Sequence, residues 1–522
     1  MKITNSLRAV RVVSLANILV AVACTGDPPP SSPVEDEAGV DPGGDAYDDG
    51  GGEGASDAAS DVVADQSADQ DAGSEPDLAV PSTFFGMHIN QAETPWPSVS
   101  LGSIRAWDSY RTAWALMNTA PNTFSFTNLD QLLRDAKTNG VDDVLYNLGR
   151  TPTWASQHPE DKDCDYATNA TNGGQCWPMT DLNPDGTGTN RIWKDWITAV
   201  ATHARGLDAT HARIKYWEIW NEFHRGSLDP NPTAGGSWQG SYEQMVRLAE
   251  DARCIITGKG HITATGAACT ATAIDPNAVI LSANTGSQTP AARTVLKRYL
   301  YCASGACTTG SAGSAAADVI SIHDYAADGL APEGIRDQIK AVKDLLSAAD
   351  LAKPLWATEG SWGPPGNLTD LDRQAAFVAR YVLTQRSLGV ARLYWYIWDG
   401  GWGRLWSAND GDGCTVPDAK GGYLCPSGVA YREVRGWLVG ATLDSACSVN
   451  GTTWTCDLSR PNGYVARAVW DTSCANNTTA CSTVAYPVDP KFVRYRDLAG
   501  KVTAVTSTTV PIGYKPILLE NQ

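Results

Sequence analysis

The chain of 522 residues is 43% hydrophobic and 19% charged, with 49 Gly, 29 Pro and 13 Cys. These values exclude a miniprotein or a collagen and leave room for two or three folded units. The net charge is −18, but 16 Asp/Glu and no Lys/Arg fall between residues 25 and 77, so the acidity belongs to one segment. The rest has no basic surplus to neutralise phosphates, which removes the main electrostatic support for a nucleic-acid partner and favours a neutral substrate.

The N-terminus carries Lys2, Arg8 and Arg11 ahead of an apolar run, residues 12–23, that is short for a bilayer span. Residues 1–24 therefore read as an export signal. Ala21-Val22-Ala23-Cys24, followed by a long polar tail, resembles the bacterial lipoprotein box, in which Cys24 is lipidated; an ordinary signal peptide cut nearby is the alternative. Any membrane association would then run through the lipid anchor alone. Residues 25–80 are Asp, Gly, Ala, Ser and Pro with almost no large apolar side chain, a composition that cannot offset ordering entropy and predicts a disordered acidic linker.

Setting Cys24 aside leaves twelve cysteines that fall as close neighbours: Cys164/Cys176, Cys254/Cys269, Cys302/Cys307, Cys414/Cys425, Cys447/Cys456 and Cys474/Cys481. Such spacings suit local disulfides in an oxidising compartment, although sequence alone does not fix connectivity. Structural zinc fits poorly, because no CxxC occurs and the seven His are not at ligand spacing from the Cys.

From residue 84 short apolar runs alternate with helical periodicity, the pattern of repeated βα units. Strands are predicted at 84–90, 103–108, 143–148, 216–222, 262–266, 318–323, 354–359 and 392–398. Helices are predicted at 129–139, 191–205, 242–256, 291–301, 334–348, 370–387 and 428–438, with a vestigial first crossover over 91–102. The fold class is α/β: a (β/α)₈ TIM barrel over residues 81–438. Beyond it, over 439–522, the helical period gives way to runs such as 464–470, 492–495, 502–505 and 516–519 among turn residues. They predict a C-terminal antiparallel β-sandwich-like domain into which 517–519 docks.

Chemistry in such a barrel sits where the strands end. The fourth run ends in Asn221-Glu222 and the seventh in Glu359. Two carboxylates on different strand ends of one mouth are the minimum equipment for glycoside hydrolysis, one to protonate the leaving oxygen and one to attack the anomeric carbon. A retaining pair requires a separation of about 5 to 5.5 Å, whereas a gap of roughly 9 Å favours inversion. Glu218 lies four residues before Glu222 on the same face but deeper, which suggests a structural role, with Arg105 as a partner. The 19 Trp against 7 Phe suit a sugar-binding surface, while Trp193, Trp196 and Trp217 read as core.

The set of Asn221-Glu222 after the aromatic-rich run Tyr216-Trp-Glu-Ile-Trp-Asn-Glu222, Glu359, His323-Asp-Tyr325 and Trp398 resembles the retaining glycoside hydrolases of clan A. Adding Thr151-Pro-Thr-Trp154-Ala-Ser156 and an appended β domain, the chain is most similar to glycoside hydrolase family 39, which includes β-xylosidases and exopolysaccharide hydrolases. The resemblance spans about residues 83–522. It implies Glu222 as acid/base, Glu359 as nucleophile, Asn221 on the sugar 2-hydroxyl, Tyr325 on Glu359, Arg105 keeping that carboxylate ionised, and Trp398 as a stacking platform. Trp154, His323, Trp107 and Trp362 are candidate walls. One departure is Glu222-Phe223-His224, where many relatives have Glu-Pro-Asn.

The expected activity is cleavage of a carbohydrate by double displacement, without metal or cofactor, by an exported protein at the outer membrane or cell surface or secreted. A non-catalytic polysaccharide-binding lipoprotein is the alternative from another class. A metal-dependent hydrolase is disfavoured because no His/Asp cluster at metal spacing occupies the strand ends. Loops 157–188 and 400–425 are expected to rim the mouth and set specificity.

Overall fold

The computed structural model describes residues 79–164, 173–229, 236–302, 312–327, 331–364, 366–474 and 481–522. The export segment, the linker up to residue 78, Cys24 and Cys307 lie outside the described residues.

Eight parallel strands make the barrel: Phe85–Met87, Ser103–Ala106, Asp143–Asn147, Arg213–Glu218, a broken fifth strand, Ile320–His323, Leu355–Gly360 and Val390–Trp395. The fifth consists of Val279–Leu281, paired to the fourth, and Thr285–Gly286, paired to the sixth. The first strand pairs with the eighth, Phe85 opposite Leu393, and a Leu281–Val319 bridge joins the fifth to the sixth. Both faces of these strands are covered, so every residue of Asp143–Asn147 and Leu355–Gly360 is buried and the runs read as apolar rather than alternating.

The crossover helices start and stop where their end residues direct. Tyr242–Thr257 opens on a capping box between Ser241 and Gln244 and closes on Gly258, whose φ of 70° suits a residue without Cβ. Pro290–Tyr301 opens on the Thr289 cap with Pro at its first turn. As expected, 91–102 carries no helix.

The predicted fifth strand is corrected. Residues 262–266 belong instead to a surface hairpin, His261–Ile262 against Ala267–Ala268, clipped to the preceding helix by Cys254–Cys269. Its β propensity is real, but its residues are largely exposed and pair with no barrel strand. The residues that fill the gap, Val279–Leu281, form too short a run to stand out.

Past the barrel, an antiparallel sheet orders Thr442–Leu443, Thr453–Arg460, Tyr464–Asp471, Ile517–Glu520, Arg494–Arg496 and Val502–Ala504, with Ser448–Asn450 also on Thr453–Arg460. The C-terminal strand thus lies between two others, as expected. A ribbon of Val484–Pro487 and Thr509–Ile512 covers one face, enclosing Val469, Phe492, Val510, Ile512, Ile517 and Leu519. The other face continues the barrel's own core through Leu458, Ala466, Ala468, Trp470 and Leu518. Polar ties reinforce this seam: Trp470 Nε1 donates to Glu333 (2.7 Å), the Cys447 N–H donates to Ser387 Oγ (2.7 Å), and Lys515 pairs with Asp372 (2.6 Å).

Five of the expected disulfides are formed: Cys164–Cys176, Cys254–Cys269, Cys414–Cys425, Cys447–Cys456 and Cys474–Cys481. Cys302 is also disulfide-bonded.

Candidate active site

Arg105, at the end of the second strand, is buried and spends its guanidinium on three partners. Nε donates to Glu218 (2.7 Å), Nη1 to Glu359 (2.6 Å) and Nη2 to Asn221 (2.8 Å). Its two expected roles, pairing with Glu218 and with Glu359, are therefore held together. Glu218, fully buried, also accepts from Asn147 (3.0 Å), Thr358 (2.8 Å) and Ser321. With its oxygens so engaged, it is a fixed counter-charge at the barrel floor.

The fourth strand stops at Glu218, and the chain then turns to present Glu222 at φ 49°. A left-handed Glu is costly unless its surroundings hold it, and such positions cluster at functional sites. Asn284, between the two halves of the broken fifth strand, does the holding: its Oδ1 accepts from the Glu222 N–H (2.7 Å) while its Nδ2 donates to Trp220 O (2.8 Å). Asn284 was not foreseen, because misplacing the fifth strand hid the strand end on which it stands.

Glu222 and Glu359 meet at His323. His323 Nδ1 lies 3.0 Å from Glu222 Oε1 and 3.4 Å from Glu359 Oε2, and one oxygen of each carboxylate lies within 4.8 Å of the other. Tyr325 Oη donates to Glu359 Oε2 (2.9 Å), and Arg225 Nη1 to Glu222 Oε2 (3.2 Å). Burial alone would raise the Glu222 pKa, but the hydrogen bond and charge of His323, with His224 and Arg225 behind it, hold it below the usual carboxylate range. Burial pushes Glu359 up against the pull of His323 and Arg105, and the neighbouring Glu222 charge adds to the push. The pair is thus pushed apart in acidity with Glu222 the more acidic, the reverse of the order that an acid at Glu222 and an ionised nucleophile at Glu359 require, so the expected roles draw their support from geometry and not from these shifts.

The chain spans 84% of its length on a family 39 glycoside hydrolase from Bacteroides cellulosilyticus WH2, covering 80% of that chain at TM-score 0.54 and 15% identity. The chain shares the fold of this family 39 glycoside hydrolase, a (β/α)₈ barrel with a β-rich C-terminal domain. A conserved exported protein from Bacteroides fragilis is also similar, over 85% of this chain and 98% of its own, at TM-score 0.52 and 10% identity. No protein-family model matches the sequence, and no curated protein matches it. At such identities the likeness concerns the fold, and the chemistry rests on the side chains.

Within the barrel the expected sugar contacts divide. Asn221 and His323 are buried at 4% and 0% exposure; His323 touches the two carboxylates and is no wall. Trp398 is fully buried too, in the barrel core, and offers no face to a sugar. The reason is that the eighth strand ends earlier, at Trp395, and the chain then folds inward so that the Trp398 N–H donates to His88 O (3.0 Å). Trp362 is likewise core, packed on Phe377 and Trp395. Trp154 is half-buried, its Nε1 donating to Asn118 O (2.8 Å). Two other aromatics stand beside Tyr325: Trp402, 41% exposed and edge-on to it at 5.9 Å, which belongs to the 400–425 segment expected to rim the mouth, and half-buried Tyr396, 6.3 Å from Trp402, which the sequence reading did not single out.

Donor atoms of Glu222, His323 and Glu359 are close enough to share a cation, a cluster the sequence spacing did not reveal. Arg105 and Arg225 already place guanidiniums on the two carboxylates, so the positive charge an ion would bring comes from the protein itself. Asp161 also lies near Cys164 and Cys176, whose sulfurs are joined to each other and offer no thiolate.

Asp324 carries a consequence for stability. Its carboxyl is fully buried among Ser287 Oγ, Gln385 Nε2 (2.6 Å) and the Gln338 amide, and burial lifts its pKa to about 7. A folded-state pKa above the unfolded value gives stability that is complete below the unfolded pKa and is lost as pH rises through the folded one. Between about pH 4 and 7 this costs up to about 4 kcal/mol, at about 1.4 kcal/mol per pH unit. Thermal melts across that range should fall for the wild type, and Asp324→Asn, which cannot ionise, should flatten the decline. An unchanged slope would exclude Asp324 as its source.

Proposed function

We propose that the chain is a retaining glycoside hydrolase acting on an oligo- or polysaccharide by double displacement, with Glu359 as nucleophile and Glu222 as acid/base. The observation that carries this reading is the approach of the two carboxylates within 4.8 Å across His323 at the barrel mouth. That span suits direct attack by one carboxylate and leaves little room for the intervening water that inversion needs.

Arg105 and Tyr325 both donate to Glu359, which aligns the carboxylate, and the Arg105 charge opposes the rise that burial and Glu222 impose on its pKa. Glu222 and His323 form a link that a single proton satisfies in either direction. An Nδ1–H donating to a carboxylate and a carboxylic acid donating to a bare Nδ1 carry the same net charge. Passing that proton to the glycosidic oxygen lets the leaving group depart as Glu359 forms the ester. With the Glu359 charge consumed, Glu222 takes a proton from water, which then attacks the ester. Asn221, held by Arg105, is suited to meet the 2-hydroxyl.

The local disulfides support export to an oxidising compartment, and the Ala21-Val22-Ala23-Cys24 box supports a lipid anchor at the cell surface. Incubation with xylan, β-glucans, galactans and exopolysaccharides, followed by product sizing and NMR of the first-formed anomer, tests the activity. The expected product keeps the configuration of the bond cleaved; an inverted anomer overturns the double displacement, and hydrolysis of none of these glycans counts against the enzyme reading.

A further inference from the structure

Both oxygens of Glu222 are engaged. Oε1 lies 3.0 Å from His323 Nδ1, and Oε2 accepts from Arg225 Nη1 (3.2 Å). A guanidinium only donates, so a proton on Oε2 would face another donor. The proton of the Glu222–His323 link lies at the other oxygen, between the two side chains, whereas the glycosidic oxygen has to meet an O–H outside that link. Oε2 is the oxygen outside it, and Arg225 holds it. This arrangement suits Glu222 as the base of the second step and opposes it as the acid of the first. Arg225 is anchored by its backbone and open at its tip. Its N–H donates to Glu222 O (3.0 Å), and its own O accepts from the N–H groups of Ser237 (2.8 Å) and Trp238 (2.9 Å). The side chain is 47% exposed, against 16% for Glu222. An ion pair partly in water is weakly held, and a competing anion can draw the guanidinium away without moving the chain.

We propose that Arg225 makes the protein selective for an acidic glycan: a carboxylate or sulfate carried beside the scissile bond draws the guanidinium off Glu222 and frees Oε2 to act as the acid. The proposal rests on the hydrolase reading above. Freed of the guanidinium, Glu222 takes a proton from water at Oε2 and passes it to the glycosidic oxygen as Glu359 attacks. Carried on the part of the glycan that leaves, the anion departs with it. Arg225 then returns to Glu222 and holds it ionised for the step in which it accepts a proton from water. A neutral glycan offers the guanidinium no charge to exchange for that of Glu222, so Oε2 stays engaged. The chain outside its acidic segment has no basic surplus to grip a polyanion, but a single substituent needs only one guanidinium, whose fork matches a carboxylate or a sulfate. Arg225 directly follows Phe223-His224, where the chain departs from the Pro-Asn of many relatives.

Glucuronoxylan, an acidic exopolysaccharide and a sulfated galactan would each be compared with its own carboxyl-reduced or desulfated form. Product release is followed with the full chain, and binding by calorimetry on Glu359→Gln, which does not turn substrate over. For the glycan that fits, the acidic form is expected to exceed its neutral form in kcat/KM by about tenfold or more, chiefly through kcat. Carboxyl reduction and desulfation tell which anion is read. Arg225→Gln is expected to erase the preference from both sides, slowing the acidic form and speeding the neutral one. It should also move the alkaline limb for the neutral glycan to higher pH, because Glu222 loses a charge that lowers its pKa. The other titratable groups facing Glu222 stay in place: His224 on its own turn, His323 and Tyr325 at the sixth strand end, and Glu359 on the seventh. A merely structural Arg225 would lower both forms alike and leave the limb unmoved, and circular dichroism reports that the variant is folded. Equal handling of acidic and neutral forms, a preference that survives Arg225→Gln, or binding of none of these glycans overturns the proposal. Failure of the hydrolase reading has a different signature: acidic forms bind about tenfold tighter than neutral ones, Arg225→Gln removes that margin, and wild-type protein releases no product.

Discussion

Cutting Glu359 back to Ala is expected to lower kcat/KM by about 10⁴-fold or more, because no glycosyl ester can then form. Azide added to this variant should enter from the vacated face and give a glycosyl azide of inverted configuration. Glu222→Ala should fail differently. Substrates with good leaving groups need little protonation and still glycosylate Glu359, whereas poor leaving groups should lose about 10² to 10⁴-fold. Azide should then intercept the ester without help from a base and restore turnover with retained configuration. The two outcomes are opposite in stereochemistry, so they separate the roles where rates alone would not. Swapped outcomes would exchange the two residues, and equal losses with no azide response would remove the covalent mechanism. His323 touches both carboxylates, so damage to the site at large would not produce this pairing of results.

How far the site was legible depended on whether a residue acts where its strand ends. Glu222, Glu359 and His323 close the apolar runs read from the sequence, although the fourth strand itself stops at Glu218, whereas Tyr325, two residues past its strand, came only with the resemblance to clan A. Glu218 was also readable, because alternation along a strand places it beneath Glu222 in depth. Trp398 failed for a related reason. Apolar character continues through Trp395-Tyr-Ile-Trp398, so the run does not show that pairing stops at Trp395 and the chain turns into the core. The fifth strand failed because burial, not β propensity, decides which segment enters a barrel: Val279–Leu281 has only three residues, while 262–266 has the better local pattern and a disulfide that keeps it outside. That single displacement concealed Asn284, the support of the Glu222 turn.

The C-terminal sheet illustrates another limit. Thr453–Arg460 alternates half-buried and buried residues, a clear period-two pattern, yet its polar composition hid it beside the more apolar Tyr464–Asp471 with which it pairs. The apolar partners it needs belong partly to the barrel: Leu458 and Trp470 share one core with barrel residues, and Trp470 donates to Glu333 of the barrel shell. The sheet therefore closes the outer shell of the barrel as well as its own core, a continuity that no local pattern in the chain displays.

Replacing Arg105 by Met is the second large effect expected, and it is expected to act on folding and chemistry together. The guanidinium is 1% exposed and neutralises Glu218 and Glu359 at once, each at 2.6 Å. Removing one partner of a buried ionic cluster leaves uncompensated charge and costs about 3 to 5 kcal/mol. The catalytic effect has a definite sign. Arg105 pulls the Glu359 pKa down against burial and the Glu222 charge, so its loss raises that pKa further. The nucleophile must be ionised, and the acidic limb of kcat/KM should therefore move to higher pH. Glu218→Gln added to Arg105→Met removes one of the two stranded charges and should recover part of the stability while leaving the acidic limb displaced, because Glu359 still lacks its counter-charge. Arg105→Lys should keep more of the original pH profile than Met but lose the fork that reaches Glu218, Glu359 and Asn221 together. Denaturant melts and pH profiles of the four proteins decide the matter: an Arg105→Met enzyme that is destabilised but shows an unmoved acidic limb would make Arg105 a support for Glu218 alone.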